Sequence, residues 1–374
     1  MSTELLTSRD ALSPLEPGWN DLVQNAVRPN VFVTWEWITA WLDHFGGEAA
    51  LRVLAVRRVP DGELVGIAPF VLRPQPAVGP TLWRELAFIG CTPTAPDHLD
   101  CIARPGWEGA VAAAAGAWLR NPPRNQAWDL IRMDGMTPAS PLVHTVLGQA
   151  RPGTTAAWKV ICPYVQLPDS WESFEESLER SFRTNLRRRW RKLQREIPDP
   201  PAFTTVETEQ GLAHALDALH RLHESVRRKN GDRTGAFDTP TKRLFYADVA
   251  RRFAVRGWLR LHTLEVGGRP IAAALCFQFA GKAWFYQTGY DPELQPYGPG
   301  HFIVRHAIQR AIDEGAEELD MLRGEHPYKY DWQARPRYVL KVRVASSLTG
   351  GVVAPATAWL RAARNGWKEW RRAH

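Results

Sequence analysis

The stretch from Lys282 to Trp332 sets the narrowest limits on how this chain can fold. Ala283 to Thr288 alternates and is rich in aromatic residues, the pattern of a half-buried strand, and Gly289-Tyr290-Asp291-Pro292 stops it. After a loop ending in Tyr297-Gly298-Pro299-Gly300, the residues Phe302, Ile303, His306, Ala307, Ile308 and Ala311 recur at helical spacing until Gly315. Glu318 to Leu322 then reads as a second, short strand. A strand, crossover helix and strand form a right-handed parallel unit, whose strand ends and helix N-terminus share one edge. The unpaired N–H groups of such a helix start can receive phosphate oxygens, and Gly298 and Gly300 let a ligand approach the main chain. Read alone, Gly-Pro-Gly serves equally well as a simple turn. Pro299 removes one donor from it.

A chain of 374 residues is long for one domain and comfortable for two. Its 23% charged and 44% hydrophobic residues are those of a soluble globular protein. The formal net charge of +7 favours an anionic partner: a nucleotide cofactor, RNA or an acidic membrane surface. Cys91, Cys101, Cys162 and Cys276 are scattered without a C-x-x-C pair, which points to neither a metal site nor a disulfide framework. Met1-Ser2-Thr3-Glu4 lacks a basic leader, and no run approaches the roughly 18 apolar residues of a membrane span, so a cytoplasmic setting is expected.

Leu51 to Arg57 and Leu64 to Leu72 flank Asp61-Gly62, a hairpin signal. Further strands are expected at Leu86 to Gly90, Asp129 to Met133 and Val160 to Leu167, with helices at Gly109 to Leu119 and Pro141 to Ala150. Thr34 is placed to cap a short helix carrying Trp35, Trp37, Trp41 and Phe45. The second half repeats this plan. Trp258 to Val266, a Gly267-Gly268 turn and Pro270 to Phe279 form a hairpin, followed by strand, helix and strand. A duplicated α/β unit is expected, with one domain over residues 1–168 and the other over 169–374. In the first copy Pro96-Asp97-His98 stands where the second has its glycine-rich loop, so the first copy is read as a wall for an acceptor.

Between the halves, Trp171, Phe174, Leu178, Phe182, Leu186, Trp190, Leu193 and Ile197 make an apolar stripe at steps of three and four, an amphipathic helix broken near Ser181. Its other face carries Arg183, Arg187, Arg188, Arg189, Arg191, Lys192 and Arg195. Such a run is either a solvated face, or it aims Arg183 and Arg187 at phosphates or a carboxylate. Gly211 to Lys229 is helical and places His220 and His223 on one face, where His223 can be a packed side chain or a base. Thr239-Pro240 starts another helix. The tail from Ala356 to His374 mixes Trp359, Trp367 and Trp370 with basic residues, for docking onto the domain or onto a membrane surface.

The pattern Tyr286-x-x-Gly289-Tyr290-Asp291-Pro292, a glycine loop, a helix, then Asp320-x-Leu322-Arg323-Gly324-Glu325-x-x-Tyr328-Lys329-x-x-Trp332 resembles the GNAT-superfamily N-acyltransferases of the CelD (cellulose-biosynthesis) type, relatives of the FemABX transferases. Ser181-Phe182-Arg183-Thr184-Asn185-Leu186-Arg187-Arg188 is similar to that family's basic segment, and Gly62 to Pro69 and Asp97 to Asp100 extend the resemblance into the first half. It implies an α/β (α+β) fold of tandem GNAT-like domains, each a mixed, mostly antiparallel sheet with flanking helices. It also implies acyl transfer from acetyl-CoA or another acyl-CoA to a small-molecule or cell-envelope-related amine, without a metal, at a cleft between the domains. The main chain at Gln287, Thr288 and Gly289 would hold the acyl arm. Tyr297, Gly298, Gly300 and His301, with Arg323 and Lys329, would hold the phosphates. Tyr328 would protonate the thiolate, with Tyr330 in reserve, while Asp320, Glu325 and His223 stand unranked as the base. Asp320 can equally be structural, paired with Arg323 or Lys329. Arg183, Arg187 and Trp332 would contact the acceptor. The competing readings are a FemABX-like transferase using aminoacyl-tRNA, and a non-catalytic module binding nucleic acid or lipid.

Overall fold

A computed structural model describes residues 1–47, 49–76, 82–94, 96–122, 127–149, 155–232 and 234–345. These residues form two compact units, Met1–Val160 joined by the strand Tyr338–Ala345, and Ile161–Arg337.

The first unit runs β1 (Ser2–Leu6), α1 (Arg9–Leu12), α2 (Glu16–Gln24), α3 (Trp35–Phe45), β2 (Ala50–Arg57), β3 (Leu64–Pro76), β4 (Leu82–Phe88), β5 (Ile102–Ala103), α4 (Glu108–Arg120), β6 (Leu130–Met136), α5 (Pro141–Gln149) and β7 (Thr155–Ile161). The second runs β8 (Tyr164–Gln166), α6 (Trp171–Ser177), α7 (Arg180–Glu196), β9 (Pro201–Val206), α8 (Leu212–Lys229), α9 (Pro240–Val255), β10 (Leu259–Val266), β11 (Arg269–Phe279), β12 (Lys282–Tyr290), α10 (Pro299–Asp313), β13 (Glu318–Asp320) and α11 (Pro327–Tyr330). Last comes β14 (Tyr338–Ala345), which belongs to the first unit.

The expected duplication is real at the level of topology. One sheet has the order β1-β2-β3-β4-β6-β14-β7 with β5 beside β3, and the other β9-β10-β11-β12-β13-β8. In each, three antiparallel neighbours lead to one parallel pair, β4 with β6 and β12 with β13, followed by an antiparallel strand. The helix between the parallel partners is α4 in one unit and α10 in the other.

Two boundaries differ from the sequence reading. The single strand expected from Val160 to Leu167 is divided at Cys162-Pro163, so that β7 serves the first sheet and β8 the second. Proline cannot donate to a ladder and suits such a break. The second domain was expected to reach residue 374, but β14 pairs with β6 in the first sheet, Val342 opposite Met133, and the second unit ends at Arg337. Val339 and Val342 are buried there, which drives the return. The tail from Ala356 to His374, expected to dock onto the domain or onto a membrane surface, lies outside the described residues. Thr34 does not cap α3 with its side chain; its hydroxyl donates to the Val31 carbonyl instead.

In the second unit, α10 packs on one face of the sheet, where Phe302, Ile303 and Ile308 join Leu186 and Leu193 of α7 in the core. Each such side chain, fully buried, contributes about 1.5–3 kcal/mol. The helix break expected near Ser181 falls at Leu178, whose extended backbone ends α6. Thr239 caps α9, as its position suggested, and Ser170 caps α6.

A polar cluster is built into this core. The Thr205 hydroxyl lies 2.9 Å from His262 Nδ1 and 3.1 Å from His306 Nε2, and His306 stacks on Phe203. Burial, then Arg310 and Arg305, push His306 down to about 4. The unfolded chain, with a histidine near 6.5, therefore takes the proton first. Stability is full above about pH 6.5 and falls, by an amount on the order of 2 kcal/mol, as pH drops toward 4. Thermal unfolding across this range should show that slope, and His306→Phe should reduce it, with the buried His262, also lowered, keeping a share.

Candidate active site

β12 and β13 pair only over Lys282–Trp284 and Glu318–Asp320. β13 then ends while β12 runs on to Tyr290, so among the described residues no strand covers that edge of β12 beyond Trp284. A β-bulge at Tyr286 adds a local twist to β12. A cavity of about 350 Å³ lies beside this parting, lined by residues of α7, β12, the turn before α10, α10 itself and Tyr328. Thr288 and Tyr290 face it, as their two-residue spacing requires.

The turn Pro292–Tyr297 leads into Gly298, a left-handed residue (φ 79°) that serves as the N-cap of α10. No L side chain fits easily there, and an added Cβ would meet Arg189 Nη1 at 3.1 Å. A Cβ on Gly300 would meet the Tyr290 ring at 3.2 Å. Both glycines hence keep the helix start open to neighbouring groups. The amides are used differently from the sequence expectation. Gly298 N–H donates to the Gln295 carbonyl, and His301 and Phe302 N–H both donate to the Gly298 carbonyl. Pro299 has no N–H, so Gly300 offers the unengaged amide among residues 298–302. The Arg189 guanidinium at Gly298 supplies the positive charge beside it.

At the cavity wall, Tyr328 makes no hydrogen bond through its hydroxyl among the described residues, and burial pushes its phenol up to about 12. His301 lines the same cavity, packed edge-on against Phe182, with Nδ1 buried and unpartnered. Burial lowers its pKa, so the ring is neutral near pH 7. The cavity therefore brings together an anion-binding end, a phenol and a neutral imidazole.

Several expected site residues are elsewhere. Asp320 is fully buried; it accepts from Leu322 N–H at 2.7 Å and pairs with Arg337 at 3.1 Å, the structural use open to it from the sequence. Lys329 is also buried, and its ammonium donates to the carbonyls of Met321, Leu322 and Arg323 at 2.6, 2.9 and 3.3 Å. It ties down a segment in which Leu322 adopts φ 55°, instead of reaching a phosphate. Lys329→Met should lower the melting temperature by an amount matching roughly 3 kcal/mol, because three carbonyls lose their donor.

Trp332 is a core residue, edge-on to Phe182 at 5.0 Å, and not an acceptor contact. Glu325 is exposed and accepts from the Tyr330 hydroxyl at 3.2 Å, while Arg323 does not line the cavity. Gly289 lies against α8: an added Cβ would sit 2.3 Å from His223 N, so this glycine permits helix packing. His223, against Phe237 on that side of the sheet, is turned away from Thr288 and Tyr290, and Gln287 is likewise outside the lining. Arg187 pairs with Glu175 at 3.2 Å, and neither it nor Arg183 reaches the cavity. Tyr297 donates to Glu196 at 3.2 Å under Lys192.

The residues that sequence reasoning passed over are Arg189, Tyr290 and Gln295. Arg189 had a signal: it follows the buried Leu186 by three residues and so borders the apolar stripe. Among the described residues, no group of three or more His, Cys, Asp or Glu side chains is placed to hold a metal, and no helix is long and apolar enough to cross a membrane.

Residues 180–330 match the sequence model of the acetyltransferase (GNAT) domain family Acetyltransf_6. A search of curated proteins found no match. Among solved structures, the chain is similar to FemX, with 10% identity, a TM-score of 0.62, and coverage of 91% of this chain and 97% of that one. A conserved protein of unknown function from Bacteroides thetaiotaomicron is similar at 11% identity and a TM-score of 0.59, covering 92% and 100%. The C-terminal domain of a proposed lysylphosphatidylglycerol synthetase from Agrobacterium fabrum follows at 11% identity and 0.54, covering 93% and 96%. At such identities these likenesses speak for the fold alone. Residues 180–330 thus match an acetyltransferase (GNAT) domain model, within a chain whose fold is similar to that of FemX.

Proposed function

We propose that this protein is an N-acyltransferase that moves an acetyl or other acyl group from a coenzyme A thioester to an amine. The observation that carries the reading is the cavity at the parted strands, with Arg189 and Gly300 N–H at one end and the unpartnered Tyr328 hydroxyl on its wall. A thioester bound there has its phosphate at the helix start and its acyl arm along the open edge of β12. The amine nitrogen attacks the carbonyl carbon, the C–N bond forms and the C–S bond breaks. His301 accepts the proton leaving the amine and returns it to solvent.

The departing sulfur carries the electron pair of the broken bond. A phenol near 12 holds its proton more tightly than a thiol near 8.5, so Tyr328 stabilises the thiolate by donating a hydrogen bond, and solvent protonates the sulfur on release. Lys229 on Gln295 and Lys192 over Tyr297 add positive charge at the rim. The acceptor in this reading is a small or envelope-related amine. Two structures of similar fold, FemX and the C-terminal domain of a proposed lysylphosphatidylglycerol synthetase, motivate that choice.

Acetyl-CoA should raise the melting temperature of the wild-type protein, and Arg189→Ala should weaken coenzyme A binding about tenfold to a hundredfold, the loss of one charge-assisted contact. Wild-type protein unmoved by acetyl-CoA but stabilised by aminoacyl-tRNA would replace this reading with the tRNA-dependent one.

A further inference from the structure

We infer that α7 is the docking surface for an acidic carrier protein, whose phosphopantetheine arm delivers an acyl thioester into the cavity at the start of α10. This deepens the acyltransferase reading and rests on it. The first observation is where the charge lies. The whole chain carries a formal net charge of +7, and α7 alone has eight basic side chains and one acid, so the remainder of the molecule is neutral on balance. Arg180, Arg187, Arg188, Arg191 and Arg195 are exposed along it, over roughly 25 Å of helix. Carboxylates answer only part of this charge, Glu175 at Arg187 and Glu196 at Arg195.

The second observation is continuity with the cavity. Arg189 of α7 lines it, and Lys192, one turn on, covers the ring of Tyr297 in the turn that leads to Gly298. A partner lying on α7 thus sits at the cavity mouth. The third is the size of the anion cradle: one free amide, at Gly300, and one guanidinium, at Arg189, suit one phosphate group. A phosphopantetheine arm carries a single phosphodiester where it joins its protein, whereas three phosphate groups of free coenzyme A leave most of α7 unused.

The exposed face favours protein over RNA. Single-stranded nucleic acid is gripped by aromatic rings interleaved with cations. The aromatic residues of α7, Phe182 and Trp190, are packed inward against the core, Trp190 edge-on to Phe302 at 4.8 Å, so α7 itself adds no ring to its basic face, and the Tyr297 ring beside it is covered by Lys192. A row of guanidinium groups without rings complements the carboxylates of an acidic helix.

The test uses the whole protein and an acidic acyl-carrier protein, in its acetyl-phosphopantetheine form and its unmodified form. Acetylated carrier should bind, with affinity falling about tenfold or more between about 50 and 200 mM salt, and should bind more tightly than unmodified carrier. The double variant Arg188→Glu, Arg191→Glu, at exposed positions outside the cavity, should weaken carrier binding at least tenfold and leave the thermal shift by acetyl-CoA unchanged. Arg188→Lys with Arg191→Lys should retain binding. Equal carrier binding by the Glu variant, or binding of tRNA without binding of carrier, overturns the inference. Stabilisation by acetyl-CoA without carrier binding sinks the docking surface alone, and failure of both ligands removes the acyltransferase reading as well.

Discussion

Tyr328→Phe lowers kcat about 100-fold to 1,000-fold while KM for the acyl donor stays nearly constant. The substitution removes one hydroxyl from a wall of the cavity and leaves the ring, which stacks near His326 at 6.1 Å, in place. A donor aimed at charge that develops only in the transition state affects kcat and leaves ground-state binding alone. The hydroxyl has no protein partner to satisfy among the described residues, so its loss should leave stability close to wild type. The pH profile adds a second check. With the phenol pushed up to about 12, Tyr328 does not titrate in the working range, and the variant should keep the pH dependence of the wild type at a lower rate. Normal turnover by Tyr328→Phe removes the role assigned to it.

Asp320→Ala unfolds the protein more readily, by roughly 3–5 kcal/mol, the range for removing one member of a buried ion pair. Asp320 Oδ2 answers Arg337, which also makes a two-pronged bond to Glu318 at 2.9 and 2.6 Å, and Oδ1 holds the Leu322 amide as the chain leaves β13. Removing the carboxylate leaves that amide without its acceptor and loosens the segment from Met321 to Tyr328. Denaturant titration measures the loss. A stability unchanged from wild type, with activity abolished, would return Asp320 to the role of general base.

Much of the fold is legible in local pattern. The hairpin over Asp61-Gly62, the one over Gly267-Gly268, the crossover from β12 through α10 to β13, and the cap at Thr239 depend on spacings within about twenty residues. The strands β1, β9 and β14 escaped because they lie at or beyond the limits of the pattern and are fixed by partners far along the chain: Leu5 faces Leu54, Leu261 faces Val206, and Val342 faces Met133. Local propensity carries no record of such pairing.

Residue identities alone determined that a glycine-bearing turn opens a helix after one strand of a parallel pair, and that Tyr328 follows the other. Periodicity alone marked α7 as apolar on one side and basic on the other. Only the tertiary structure decided which charged side chains remain available for chemistry. Asp320 and Lys329 sit in the same motif as Tyr328, yet burial commits the first to Arg337 and the second to three carbonyls, while the phenol is left facing a cavity. A buried charge must be paired, and the partner is chosen by three-dimensional proximity rather than by neighbours in sequence.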